Sequence, residues 1–487
     1  MVEPVTYYST NNKAERVNFE TALLNGMASK YGLYMMDRAS VPKLSPEQIK
    51  EMESMSYAQI AFQVLNPFLK HEISQKKLEG MLDDAYSEDK IPTVVQHVTG
   101  KSHVMWLTQG PTYSFKDYAA RFFGRTLNHF LGERGLKRTV IVATSGDTGG
   151  AVADALYGLD NVKNIVFFPH GEISERQKRQ MTTLKEDVYA FEVNGNFDIC
   201  QDLAKTLLGD EAFAESVSGD RKNFTSANSI SIGRLLPQAV YPFFAYSRVA
   251  KNGEKMIASV PSGNFGDMAG TMLAKEMGLP VGKILVGLNP NKAFLEFIKT
   301  GEYHVSEAIE TPSSAMKVSH PSNLARVVDF YGGHMFDLRD SVTNKVLRYG
   351  AIDVMPDLGA MRKDFFVHSI SNEEHYQTMK DAFDKHGIIF EPHGAVGWRT
   401  LEVFNQGNHN NHLAVVYETA GPGKFPLDVE KAIGITPPVP EGMRRQEKME
   451  ERIYHIESPS TQTKEGLRLS DSQVGEAKSK IRDLFSS

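Results

Sequence analysis

The sequence predicts an α/β protein with mostly parallel sheets, opened by a helical segment and closed by a charged extension. Two observations carry this. Between about residues 96 and 430, short runs rich in valine and isoleucine recur, each followed by glycine and then by apolar residues at helical spacing. That is the pattern of buried strands alternating with helices. Several runs also end in glycine loops, and ligands in such sheets bind beyond the carboxyl ends of the strands.

In chain order, residues 1–95 place apolar residues three and four apart, as in 19–31 and 57–68, and Ser45-Pro46-Glu47-Gln48 reads as a helix start. The expected strands are V-M-W-L (104–107), T-V-I-V-A-T (139–144), N-I-V-F-F-P (164–169), M-I-A-S-V-P (256–261), I-L-V-G-L (284–288) and L-A-V-V-Y-E-T (413–419). P-P-V-P-E-G (437–442) marks a junction. Beyond it, E-R-I-Y-H-I-E (451–457) reads as one short strand, and Val474, Ala477, Ile481 and Phe485 line one face of a final helix.

At 487 residues the chain has material for two or three domains. A formal net charge of -6 gives no basic footprint, so nucleic acid is not expected as a partner, while small anions could still bind locally. Cys200 is the only cysteine, which excludes a disulfide framework and multi-cysteine metal sites and fits a reducing compartment. No apolar run is long enough to span a bilayer, and the first residues lack a basic then apolar signal, so a cytoplasmic protein is expected.

Three stretches carry chemistry. In Q-G-P-T-Y-S-F-K-D-Y-A-A-R-F-F-G-R (109–125), Lys116 stands among Tyr113, Phe115, Tyr118, Phe122 and Phe123, near an expected helix start. The helix dipole disfavours a cation there, and a neutral buried amine can form a Schiff base; the alternative is a lysine that snorkels from an apolar patch. A-T-S-G-D-T-G-G (143–150) and P-S-G-N-F-G-D (261–267) each put a glycine-rich turn between a strand and a helix, expected from near Gly150 and Asp267. Backbone N-H groups and a helix N-terminus make such turns anion cradles, the first with the hydroxyls of Ser145 and Thr148 and with Asp147 beside it. No Walker lysine follows the second. His409 and His412 lie among asparagines and read as a solvent loop, so no metal site is expected. Glu391 and His393 follow I-I-F at an expected strand end, without an assigned role.

Five motifs in order, S-F-K-D, A-T-S-G-D-T-G, N-S-I-S-I-G-R-L-L-P-Q, P-S-G-N-F-G-D and T-A-G-P-G-K-F, resemble threonine synthase of the long type. The resemblance implies a pyridoxal 5′-phosphate enzyme of the tryptophan-synthase-β-like fold, fold-type II, with two open mostly parallel-sheet lobes. It divides the chain into an N-terminal domain at 1–95, a large lobe at 96–135 and 236–436, a smaller lobe at 136–235 and a C-terminal extension at 437–487. It implies that Lys116 forms the Schiff base, that Gly263, Asn264, Phe265, Gly266 and Asp267 hold the cofactor phosphate, and that Thr419 faces the pyridine nitrogen. Ser145, Gly146, Asp147, Thr148 and Gly149 would meet the substrate and the cofactor ring. Asn228, Ser229 and Arg234 would lie near the substrate phosphate, with S-H-P-S-N (319–323) a further substrate-side loop.

The implied reaction converts O-phospho-L-homoserine and water to L-threonine and phosphate. The chain departs from the family pattern at Ser231 (usually asparagine), Gly394 (threonine or serine), Gly421 (histidine) and Gly423 (alanine). Each swap removes a side chain near the expected site. Two other outcomes are therefore weighed: a phospholyase releasing 2-oxobutyrate, ammonia and phosphate, and a non-catalytic pyridoxal-phosphate-binding protein.

Overall fold

Valine- and isoleucine-rich runs become buried strands because two separate sheets here are covered by helices. The computed structural model describes residues 3–251, 253–341, 346–408, 412–463 and 466–486; His409 lies outside them. The chain divides into two units: Met1–Leu23, Met27–Ala119 and Ser229–Pro438 form the larger, and Leu24–Gly26, Ala120–Asn228 and Val439–Ser487 the smaller.

The larger unit is built on a six-stranded sheet ordered Phe365–Ser369, Val281–Leu288, Met256–Pro261, Leu413–Glu418, Ser102–Trp106, Val94–Thr99. All neighbours are parallel except the last pair, an antiparallel hairpin. Val104, Ile257, Leu285 and Val416 bury one face against Ala395, Trp398, Leu401 and Phe404 of helix Pro392–Asn408. Both outer strands escape the sequence reading. V-V-Q-H-V-T is half exposed and F-F-V-H-S only five residues long, so neither has the continuous apolar run of a central strand.

The first residues are less helical than their spacing suggests. Asn12–Val17, Tyr7–Ser9 and Tyr34–Met35 form a three-stranded antiparallel sheet. The helix expected over 19–31 is Phe19–Asn25 and a separate 3-10 turn at Ser29–Tyr31, because Gly26, Lys30 and Tyr31 take positive φ. Helices Pro46–Glu51 and Tyr57–Leu69 start as read, each with a reciprocal serine–glutamine capping box. I-I-F at 388–390 is not a strand; it leads into the helix beginning at Pro392.

The smaller unit carries a five-stranded parallel sheet ordered Tyr454–Ile456, Val188–Val193, Val162–Pro169, Arg138–Ala143, Phe224–Ser226. Its edge strand comes from the C-terminal extension, which thus joins this unit. Pairing with Val188–Val193 covers an edge that would otherwise present open hydrogen-bonding groups. Helix Asp471–Ser486 then buries Ala477 and Ile481 in the core formed by Phe191, Phe197, Leu203 and Phe213, with Val474 and Phe485 against it. No helix of the described residues is long and apolar enough to cross a membrane.

Candidate active site

Lys116 is the first residue of helix Lys116–Arg134 and is half-buried. The turn before it is tied to the end of the central strand Leu413–Glu418: Phe115 N-H donates to the Thr419 carbonyl at 2.9 Å, and Gly421 N-H to the Tyr113 carbonyl at 2.8 Å. Asp117 folds the turn inward, accepting from the Thr112 N-H at 2.9 Å and from the Thr112 hydroxyl. Gly110 permits this, since a β-carbon there would stand 2.4 Å from the Asp117 carboxylate. Lys424, fully buried, donates to the Thr112 carbonyl at 2.9 Å. The turn thus sets Lys116 beside Thr419.

The aromatic residues around Lys116 divide their duties. The Phe115 ring lies against the amine, 4.7 Å from Nζ to the centroid. Tyr118 packs on Tyr57 and Tyr241, and Phe122 and Phe123 are fully buried. Tyr241, which the sequence reading misses, donates from its hydroxyl to the Phe115 carbonyl at 2.9 Å.

The 261–267 loop follows Met256–Pro261 and opens helix Gly266–Glu276, one residue earlier than expected. Phe265 takes a left-handed φ of 61° as its N-cap. The backbone is closely packed from behind: a β-carbon at Gly263 would lie 3.0 Å from Met316 Cα, and one at Gly266 2.8 Å from Gln238 Oε1. Asp267 is buried, and burial lifts its carboxyl to about 7, against its backbone hydrogen bonds and the pull of the Lys116 charge. Its Oδ2 makes no hydrogen bond among the described residues.

Asn264 joins this loop to 319–323. Its Oδ1 accepts from the Ser322 N-H at 3.3 Å, and its carbonyl accepts from Asn323 Nδ2 at 2.9 Å. Asn323 is gripped by Arg326, a fully buried arginine that also donates to the carbonyls of Ser229, Ile230 and Tyr34. Burial depresses Arg326 to about 9. The sequence reading missed this residue, which ties three of its segments together. Arg234 is also buried and is lowered to about 10 by desolvation. Ser231, one of the departures, has a buried hydroxyl with no hydrogen-bond partner among the described residues.

In the smaller unit, helix Asp147–Leu156 begins three residues before the expected Gly150. Gly146 has φ 126°, and the N-H groups of Gly146 and Gly149 both donate to Thr144 Oγ1 at 2.9 Å. Two donors of the expected anion cradle are therefore used inside the protein. Asp147 is buried and accepts from Gln177 Nε2 at 3.0 Å. Ser145 and Thr148 remain half-exposed. Asn228 pairs its amide with both backbone groups of Ala143, at 3.1 and 2.8 Å, extending the sheet where Phe224–Ser226 ends. That amide holds the end of strand Arg138–Ala143 and is already engaged at both ends.

The glycine departures are not empty space. A β-carbon at Gly394 would lie 1.5 Å from Glu418 Oε2, so the Glu418 carboxyl occupies the room that a side chain at 394 would need. Glu418 is fully buried; burial first, and the Glu391 charge second, push its carboxyl well above the usual carboxylate range. A β-carbon at Gly421 would stand 3.2 Å from Tyr113 Cβ.

Against this geometry, a family described as "Pyridoxal-phosphate dependent enzyme" matches residues 104–417, flanked by "Threonine synthase N terminus" at 6–86 and "Threonine synthase, C-terminal" at 394–466. Threonine synthase of Escherichia coli is 33% identical over 435 residues, spanning 89% of this chain and 92% of the relative. The chain belongs to the threonine synthase family. The PLP-bound threonine synthase of Brucella melitensis superposes with a TM-score of 0.84 at 29% identity, over 99% of this chain and 100% of that one. The yeast threonine synthase gives 0.84 at 27%, over 99% of each chain. The fold is therefore that of a fold-type II enzyme, and pyridoxal phosphate is its cofactor. The larger unit's residues fit that group: a lysine at a helix start, and a glycine loop whose backbone opens a helix with no room for side chains behind it.

Proposed function

We infer that this enzyme converts O-phospho-L-homoserine and water to L-threonine and phosphate, with Lys116 as the catalytic residue. The observation that carries the assignment of Lys116 is the pair of backbone hydrogen bonds that pins its turn to Thr419 and Gly421. Pyridoxal phosphate supplies the electron sink for carbanion chemistry. Gly263, Asn264, Phe265, Gly266 and Asp267 would hold its phosphate, and Thr419 would face its ring nitrogen. With the cofactor bound, the Lys116 amine would take the α-proton and then a β-proton, and would return a proton to the α-carbon at the end. Phosphate leaves from the γ-carbon, which is reprotonated, and water adds at the β-carbon.

Arg234 supplies the charge-assisted clamp on the substrate phosphate; its depressed pKa still leaves it charged at neutral pH. Ser145 and Thr148 meet the substrate with their half-exposed hydroxyls, while Gly146, Asp147 and Gly149 shape that turn and Asn228 and Ser229 its phosphate side. The Glu418 carboxyl filling the space beside Gly394 supports a site that is closed there, and similarity along nearly the whole chain favours the synthase over the phospholyase and the non-catalytic binder. The single, fully buried cysteine supports a cytoplasmic enzyme.

Product analysis tests this. Purified protein with pyridoxal phosphate and O-phospho-L-homoserine should release threonine and phosphate in equal amounts, and Lys116→Ala should abolish both. 2-Oxobutyrate matching phosphate would replace the synthase by a phospholyase; no phosphate release at all would overturn the substrate.

A further inference from the structure

Behind the glycine loop lies a buried polar chain that the reaction does not use. The Ser314–Met316 turn packs directly on Gly263, with Met316 Cα 3.0 Å and the Ala315 carbonyl 3.2 Å from where its β-carbon would be. The Ala315 N-H donates to His393 Nε2 at 3.0 Å. A ring nitrogen that accepts from an amide carries no proton, so the proton of the neutral imidazole is on Nδ1. Nδ1 donates to Glu391 Oε2 at 2.5 Å. Glu391 also accepts from the N-H groups of His393, at 2.9 Å, and Gly394, at 3.0 Å, at the start of helix Pro392–Asn408. Three donors thus converge on one fully buried carboxyl group.

We propose that Glu391 and His393 are positioning residues for the phosphate cradle: the carboxylate orients the imidazole, and the imidazole holds the Ser314–Met316 turn against Gly263. Glu418 completes the arrangement. Its carboxyl accepts from the Glu391 N-H at 3.2 Å and fills the space on the side of Gly394. Asn289 braces the same turn, donating to the Met316 carbonyl at 2.9 Å and to Ser313 Oγ at 3.1 Å. The relay therefore acts on the phosphate end of the cofactor and leaves the ring end, at Lys116 and Thr419, alone.

This rests on the reading that the Gly263–Asp267 loop holds the cofactor phosphate, and the test separates the two. Affinities of the apoenzyme for pyridoxal phosphate and for pyridoxal, which lacks the phosphate, are measured by the absorbance of the lysine adduct. His393→Ala and Glu391→Gln should each weaken pyridoxal phosphate about tenfold, the equivalent of one lost hydrogen bond, and leave pyridoxal unchanged. His393→Gln, whose amide oxygen can still accept from Ala315, should recover most of the affinity. Wild-type affinity in His393→Ala and Glu391→Gln, or equal losses for both ligands, would overturn the relay. If His393→Ala does not fold, Glu391→Gln and His393→Gln decide by the same ratio. A wild-type enzyme that binds pyridoxal as tightly as pyridoxal phosphate would instead overturn the cradle itself.

Discussion

Replacing Gly394 by alanine should be among the most damaging single changes in the larger unit, and the reason is one contact. The new β-carbon would lie 1.5 Å from Glu418 Oε2 and 2.5 Å from its Cδ, so the carboxyl must leave its place. Overpacking a buried site costs about 1–3 kcal/mol. Displacing Glu418 also strips the Glu391 N-H of its acceptor, a further penalty of about 1–3 kcal/mol for a buried donor. The expected loss is about 2–6 kcal/mol by these two effects together. In a Glu418→Ala background the β-carbon has room, so the same substitution should cost at least about 1.5 kcal/mol less, a coupling typical of residues in contact. Urea unfolding followed by tryptophan fluorescence suits the measurement, because Trp106 and Trp398 are the only tryptophans and both lie in the larger unit. Trp398 is on the helix whose first turn contains Gly394. A cost equal within about 0.5 kcal/mol in both backgrounds would refute the reasoning.

Three other outcomes are expected. Asp267, whose folded-state carboxyl is raised to about 7, binds a proton more tightly folded than unfolded, so the apoenzyme should lose stability as pH rises from about 4 to 7; Asp267→Asn should flatten that slope in urea melts across this range, and an unchanged slope would assign it elsewhere. Ile481→Ala should cost about 2–5 kcal/mol and lower the melting temperature, since Ile481 is fully buried in the core shared by the last helix and the smaller unit's sheet; a surface-like loss of under about 0.5 kcal/mol would contradict that packing. Tyr241→Phe, which removes the donor to the Phe115 carbonyl, should destabilise by about 1 kcal/mol and shift the absorbance of the bound cofactor, because the turn carrying Lys116 loses one of its ties; an unaltered spectrum would mean that this bond does not reach Lys116.

Much of the site could be read locally. Lys116 at a helix start, the Gly263–Asp267 loop after a buried strand, and the strand leading to Thr419 are all features of continuous stretches, where a run of β-branched residues, a glycine and a helical period follow one another within about 15 residues. The last helix was legible for the same reason: Ala477 and Ile481 repeat at a helical period. The outer strands Val94–Thr99 and Phe365–Ser369 of the larger unit were not, because the first lies largely in solvent and the second is short, so neither has a continuous apolar run to betray it.

What the sequence by itself determined is the inventory: two α/β sheets, a lysine with an aromatic neighbour, two glycine turns and a terminal amphipathic helix. What the tertiary structure decided is which groups those turns spend on themselves and which they leave for a ligand. Thr144 takes two of the N-H groups expected to face an anion, and Asn228 commits its amide to Ala143 across 85 residues of chain. Arg326 joins segments from Tyr34 to Asn323, and Glu418 fills the space that Gly394 leaves. The physical reason is common to all four. Hydrogen-bond satisfaction and excluded volume are set by whichever atoms arrive from distant parts of the chain, and no local period carries that information.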